Sequence, residues 1–169
     1  MSLSMDSVNA MGYDNFINTF RNVVEHCPLA AASVWADRPF SSEKDLGEAF
    51  GAFLDSLSNN GKEGVLRLHP DLAGRIAKSG TLSKESSLEQ SQAGLLDLTE
   101  DEQKQLGERN KLYQDKFGFP FVICVRENKK NAIIQGIKER LEHTKEEECE
   151  IGVENVKRIA LLRIHDIFQ

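Results

Sequence analysis

Cysteine is scarce in this chain. Cys27, Cys124 and Cys149 are odd in number and widely spaced, and none stands in a CxxC or CxxH pair. That argues against a disulfide framework and against a zinc site, and leaves packed thiols in a reducing or neutral compartment as the expectation. Long apolar runs are missing too. No stretch approaches the roughly 20 residues that span a bilayer, and Met1 to Asp6 has neither the basic nor the apolar region of a secretory leader. Positive charge is in deficit: 21 Lys and Arg face 27 Asp and Glu, for a net charge of −6. This argues against a nucleic-acid partner held through a basic surface. There is no Walker A loop, GxGxxG, HExxH or GxSxG, so no metal, PLP or other cofactor is expected. Internal repeats and low-complexity tracts are absent as well.

What is present is the composition of one globular domain: 169 residues, 40% hydrophobic and 28% charged. The domain is expected over residues 5–169, with 1–4 as an added leader ahead of a native Met5. Helical spacing dominates. Phe16, Phe20, Val23, Val24 and Cys27 make a stripe over Tyr13 to Cys27. Leu29 to Ala36 is a short buried helix after Pro28. Ser41 or Ser42 caps a helix that turns Leu46, Ala49, Phe50, Phe53, Leu54 and Leu57 inward, and Asn59-Asn60-Gly61 ends it. Val65 to His69 reads as a link and Ser79-Gly80 as a loop. Ser83 caps a helix to about Ala93, with Gly94 as its stop. Thr99 caps a largely solvated helix to about Lys116. Phe117 to Val125 is the one strand-like segment, with no second strand to pair with. Helices over Asn131 to Leu141 and Glu147 to Ile167 follow. The fold class is all-α: a single-domain helical bundle with one short extended ribbon.

Four features could carry chemistry. His69 lies at a break in an apolar run, before Pro70, and its ring titrates near neutrality. It could equally cap the Asp71 turn. On the helix from Ser83, residues Ser86, Glu89, Gln90 and Ala93 share one face. That face could read amide and urea groups or simply meet solvent. Arg163 interrupts the apolar stripe Val153, Val156, Ala160, Ile167, where a charge is expensive unless paired, so it calls for an anion, a substrate carboxylate or an internal Glu or Asp, unless its head snorkels to solvent. The ribbon Phe117–Val125 could offer free backbone N–H and C=O groups to a planar heterocycle, or be a core strand. His26, His143 and His165 read as surface or helix-terminal residues, and Lys157 and Arg158 as solvated charges.

Three segments together carry a resemblance: Leu66-Arg67-Leu68-His69-Pro70-Asp71-Leu72-Ala73-Gly74, Ser86-Ser87-Leu88-Glu89-Gln90-Ser91-Gln92-Ala93-Gly94, and Phe117-Gly118-Phe119-Pro120-Phe121-Val122-Ile123-Cys124-Val125-Arg126. In order and spacing they resemble the OHCU decarboxylase family over nearly the whole chain. The resemblance implies cofactor-free decarboxylation of 2-oxo-4-hydroxy-4-carboxy-5-ureidoimidazoline to (S)-allantoin and CO2 in urate degradation. It implies His69 as catalytic acid, with Glu89 and Arg163 as further catalytic residues. It implies substrate contacts from Pro70, from Ser86, Ser87, Leu88, Glu89 and Gln90, and from Phe121, Val122, Ile123, Cys124 and Val125. Leu68 stands where the family has Cys, and Ser87 and Leu88 where it has more polar residues. The family further implies a homodimer and a peroxisomal location. The chain ends Ile167-Phe168-Gln169, which is no peroxisomal tripeptide, so the cytosol is the alternative. Two other readings compete: a helical interaction module whose apolar stripes serve a partner, and a hydrolase acting on a related ureide ring.

Overall fold

The computed structural model describes residues 3–73 and 82–169. Among these residues the chain forms nine α-helices and no strand. They are α1 (Met5–Asn9), α2 (Tyr13–Phe20), α3 (Pro28–Trp35), α4 (Glu43–Ser56), α5 (Asn59–Arg67), α6 (Lys84–Gln92), α7 (Glu100–Phe117), α8 (Lys130–Arg140) and α9 (Lys145–Phe168), with a 3-10 turn at Val125–Glu127. The long α9 is the spine. It packs against α4, α5 and α7, while α2 meets α3, α3 meets α4, and α7 meets α8. The all-α expectation holds. Ser79-Gly80 and Gly74 lie outside the described residues.

Side-chain caps set most of the boundaries. The hydroxyls of Ser42, Ser58 and Ser83 accept from the backbone N–H three residues on, at 3.1, 3.2 and 3.1 Å. Thr99 with Glu102, and Thr144 with Glu147, form reciprocal capping boxes. Ser58 explains a departure from the sequence pattern. Leu57 turns extended and ends α4, and Ser58 starts α5 at once, so Asn59-Asn60-Gly61 opens a helix instead of closing one. Val65 to Arg67 is therefore helix, not a link.

The Tyr13–Cys27 stripe is likewise not one helix. Helix α2 ends at Phe20, and the chain continues in turns closed by Val23 N–H to Phe20 C=O and Cys27 N–H to Val24 C=O. His26 adopts a φ of 48°, which a regular helix does not allow. Val23, Val24 and Cys27 still reach the core, which is why their spacing resembled a stripe. The expected ribbon is also not a strand. Phe117 closes α7, Gly118 takes a φ of 81° to cap it, and Val125 already belongs to the 3-10 turn. Between them the chain runs irregularly, with Phe119 and Phe121 buried beside Tyr113 and Phe117.

One close approach ties the spine to the segment that carries His69. At Gly152 of α9 a Cβ would stand 2.9 Å from Cδ2 of Leu66, which is fully buried in α5. Glycine allows the two helices to meet there.

Candidate active site

Helix α5 delivers His69. Its end tightens through Leu68 N–H to Val65 C=O and His69 N–H to Leu66 C=O, both at 3.1 Å, and Pro70 prevents continuation. The ring then folds back onto its own helix: Nδ1 lies 3.0 Å from the Val65 carbonyl. A carbonyl only accepts, so Nδ1 carries the proton and Nε2 presents a lone pair. Nε2 is buried and has no hydrogen-bond partner among the described residues. Burial, against the opposing pull of Glu25, lowers the His69 pKa to about 4. The imidazole is neutral at physiological pH.

The turn after His69 is clamped from two sides. Gln90 Oε1 accepts from Ala73 N–H at 3.1 Å, and Asn110 Nδ2 donates to Leu72 C=O at 3.0 Å. Ala73 has a φ of 52°, a conformation these clamps help to hold.

Helix α6 turns Ser86, Glu89 and Gln90 inward, and all three are buried. Arg163 comes from α9. Its guanidinium grips Glu89 through two parallel bonds, Nε to Oε1 and Nη2 to Oε2, both 2.9 Å. Nη1 donates to Glu25 Oε2 and to the Asn22 carbonyl, each at 2.7 Å, and Nη2 donates to Ser86 Oγ at 3.1 Å. All five N–H donors of the guanidinium are thus engaged by protein groups. The anion that Arg163 required is internal, and it is two carboxylates. Glu25 is fully buried, and its Oε2 also accepts from Ser86 Oγ at 2.8 Å. Burial pushes the Glu25 carboxyl up, but the Arg163 charge and the hydroxyls of Ser83 and Ser86 outweigh it and hold the group below the usual carboxylate range.

These groups meet in one narrow cleft that is partly open to solvent. His69, Pro70, Ser86, Glu89, Gln90 and Arg163 line it on the polar side, and Phe121, Val122, Ile123 and Val125 on the other. The irregular segment is pinned by side chains instead of by a neighbouring strand. Arg140 Nη1 donates to Val122 C=O at 2.7 Å, Asn155 Oδ1 accepts from Cys124 N–H at 3.0 Å, and Asn128 Nδ2 donates to Cys124 C=O at 2.9 Å. The N–H groups of Val122, Ile123 and Val125 and the carbonyl of Ile123 meet no protein partner among the described residues.

The cleft gathers most of the residues singled out in the sequence, but not Ser87, Leu88 or Cys124. Ser87 is exposed on the far face of α6, and its N–H is engaged by the Ser83 carbonyl. Leu88 is exposed and lines a larger second cavity, which shares Glu89 and Arg163 with the cleft. Cys124 is buried, with its backbone groups engaged as above. Sequence reasoning missed Glu25, Leu72 and Ile159. Glu25 follows Val24 in a non-helical turn, so no periodicity marks it. The one available signal was that Arg163 needed a carboxylate.

The sequence pattern that describes the OHCU decarboxylase family matches residues 9–165. The chain is 46% identical over 167 residues to the 2-oxo-4-hydroxy-4-carboxy-5-ureidoimidazoline decarboxylase of Amia calva, covering 99% of this chain and 95% of that protein. It is 46% identical over 166 residues to the Xenopus laevis protein of the same name, covering 98% and 95%. In fold it resembles a crystal structure of OHCU decarboxylase in the presence of (S)-allantoin, with a TM-score of 0.69 at 20% identity over 93% of this chain and 99% of that one. It also resembles (S)-allantoin synthase, with a TM-score of 0.80 at 22% identity, covering 99% of this chain and 54% of that longer one.

Proposed function

Because the chain belongs to the OHCU decarboxylase family, we propose that it decarboxylates 2-oxo-4-hydroxy-4-carboxy-5-ureidoimidazoline to (S)-allantoin, and that the cleft around His69 is where it does so. The observation that carries this reading is the Nε2 of a neutral His69, without a hydrogen-bond partner among the described residues, in a cleft lined by Val122, Ile123 and the Glu89 carboxylate.

The reaction makes few demands, and the cleft fits them. When the bond to the carboxylate breaks, its electron pair moves into the adjacent C=N of the substrate, and the ring nitrogen takes up one proton from solvent. The hydroxyl proton must then move from oxygen to the neighbouring ring carbon. His69 suits this transfer. Its free lone pair starts as a base toward the hydroxyl, and the resulting imidazolium is the acid that protonates carbon. The family's catalytic acid thus begins the cycle as a base. Delivery from one side of a fixed ring yields one enantiomer.

Glu89, held flat by Arg163, accepts from substrate N–H groups, and the open peptide groups of Val122 and Ile123 take the ring or ureido arm. Arg163 acts behind Glu89: its donors are engaged, so it orients the carboxylate instead of gripping the substrate. Ser86, Gln90 and Pro70 shape the polar wall. A homodimer and a peroxisomal location belong to the same proposal and rest on the family resemblance. Sedimentation and imaging of the tagged chain test them.

The direct test feeds urate through urate oxidase and hydroxyisourate hydrolase and follows circular dichroism of the product. Wild-type protein gives optically pure (S)-allantoin, and His69→Ala lowers the rate by about a hundredfold or more. Slow, racemic allantoin from wild-type protein overturns the reading.

A further inference from the structure

Glu25 has no part in the chemistry just described, yet it is buried at the back of the cleft and touches what holds the cleft together. Oε2 receives both Ser86 Oγ and Arg163 Nη1. Oε1 is buried and makes no hydrogen bond among the described residues, its nearest polar neighbour being Nε2 of the half-exposed His26 at 3.3 Å. Glu25 and Glu89 place two carboxylates against a single guanidinium, so the cluster carries one negative charge in excess. An unbalanced buried charge is expensive. Two groups can balance it when protonated: His26, which touches Glu25 but is half exposed to solvent, and the buried imidazole of His69, which lines the same cleft as Glu89, Ser86 and Arg163.

We propose that Glu25 is a positioning residue of this site: it fixes Arg163 and Ser86 behind Glu89, and it supplies the negative charge that His69 needs while it carries the proton between oxygen and carbon. The field of Glu25 raises the proton affinity of His69 against its burial. The other charged or titratable groups around the ring are Arg163 from α9, His26 from the turns after α2, Glu89 from α6 and Asp71 from its own turn. The segment Phe121–Val125 brings only the buried thiol of Cys124. His26 is half exposed, with Nε2 3.3 Å from Glu25 Oε1. Arg163 opposes protonation of His69, so Glu25 is the strongest group favouring the imidazolium.

The kinetic consequence rests on the decarboxylase reading, but the electrostatic one does not. The test therefore pairs an NMR titration of the His69 ring with turnover, in wild type, Glu25→Gln and Glu25→Asp. The wild-type ring titrates near pH 4. Glu25→Gln keeps an oxygen acceptor for Arg163 and Ser86 but removes the charge. Its ring midpoint falls by about one unit or more, the acid limb of kcat/KM moves to lower pH with it, and kcat falls about tenfold while KM holds. Glu25→Asp keeps the charge but draws it back, and gives intermediate values of both. An unmoved midpoint in folded Glu25→Gln overturns the proposal, as does a Glu25→Asp variant indistinguishable from wild type should Glu25→Gln not fold. If wild-type protein makes no chiral allantoin, the decarboxylase reading fails while the ring titration still decides the role of Glu25.

Discussion

Among the described residues two arginine–glutamate networks are buried, and they are built in opposite senses. At the cleft, one guanidinium serves two carboxylates, and the remaining Glu25 oxygen has only the half-exposed His26 beside it, at 3.3 Å. Behind Phe121 and Val122, one carboxylate serves several donors. Glu148 accepts from Tyr113 OH at 2.6 Å, Arg140 Nε at 2.7 Å and His143 Nδ1 at 2.8 Å, and an Arg140 nitrogen, Nη2, is left over. Arg140 also lies over the Phe121 ring, 4.4 Å from its centre, and holds the Val122 carbonyl. The donor-rich network is a brace under the irregular segment. The acceptor-rich one stands beside a basic nitrogen with a free lone pair. Burying ion pairs is common to both, so burial alone marks neither as functional. The excess of acceptors next to a histidine is what separates them.

Breaking each network sharpens the contrast. The largest expected effect is Arg163→Met, which leaves Glu25 and Glu89 buried without their cation. Urea unfolding should show a loss of about 3–5 kcal/mol, and the folded fraction should lack turnover. Next comes pH. His69 stays neutral in the folded protein down to about pH 4, whereas an unfolded histidine takes up its proton near 6.5. Between those values the unfolded chain binds the extra proton, so this contribution is complete above 6.5 and lost as the pH falls toward 4. The loss amounts to roughly 3 kcal/mol. His69→Gln should flatten the dependence of unfolding free energy on pH across that window. In the brace, Glu148→Gln should cost about 2 kcal/mol of stability, through weakened charge-assisted bonds, while kcat stays within about threefold. His143→Gln, at a half-exposed donor, should cost about 1 kcal/mol or less by the same unfolding assay. A Glu148→Gln variant that loses turnover as completely as Arg163→Met would erase the distinction between the networks.

The two networks were unequally legible in the sequence. Arg163 stood out because it breaks an apolar stripe, and the demand for an anion followed from the cost of burying charge. Its partners lie 74 and 138 residues away in the chain, and Glu25 lies in a turn with no period, so only folding reveals that the anion is double. Helices with hydroxyl caps were readable: Ser42, Ser83 and Thr99 start helices as their side chains dictate. Asn59-Asn60-Gly61 misled because the signal that ends one helix stood beside Ser58, which begins another. Phe117–Val125 looked strand-like because its apolar residues are buried, but its backbone is held by Arg140, Asn128 and Asn155, which no local pattern announces.

The contact between Gly152 and Leu66 has a consequence for how this protein tolerates variation. Leu66 precedes His69 by three residues on a helix end that tightens just there, and Gly152 lies three turns along α9 from Arg163. A methyl group at 152 would stand 2.9 Å from Cδ2 of the fully buried Leu66, and whatever shift that leucine makes is felt on the helix end that carries the histidine. In a survey of random variants, Gly152→Ala would score among lesions of the active centre, although nothing at that position touches the cleft.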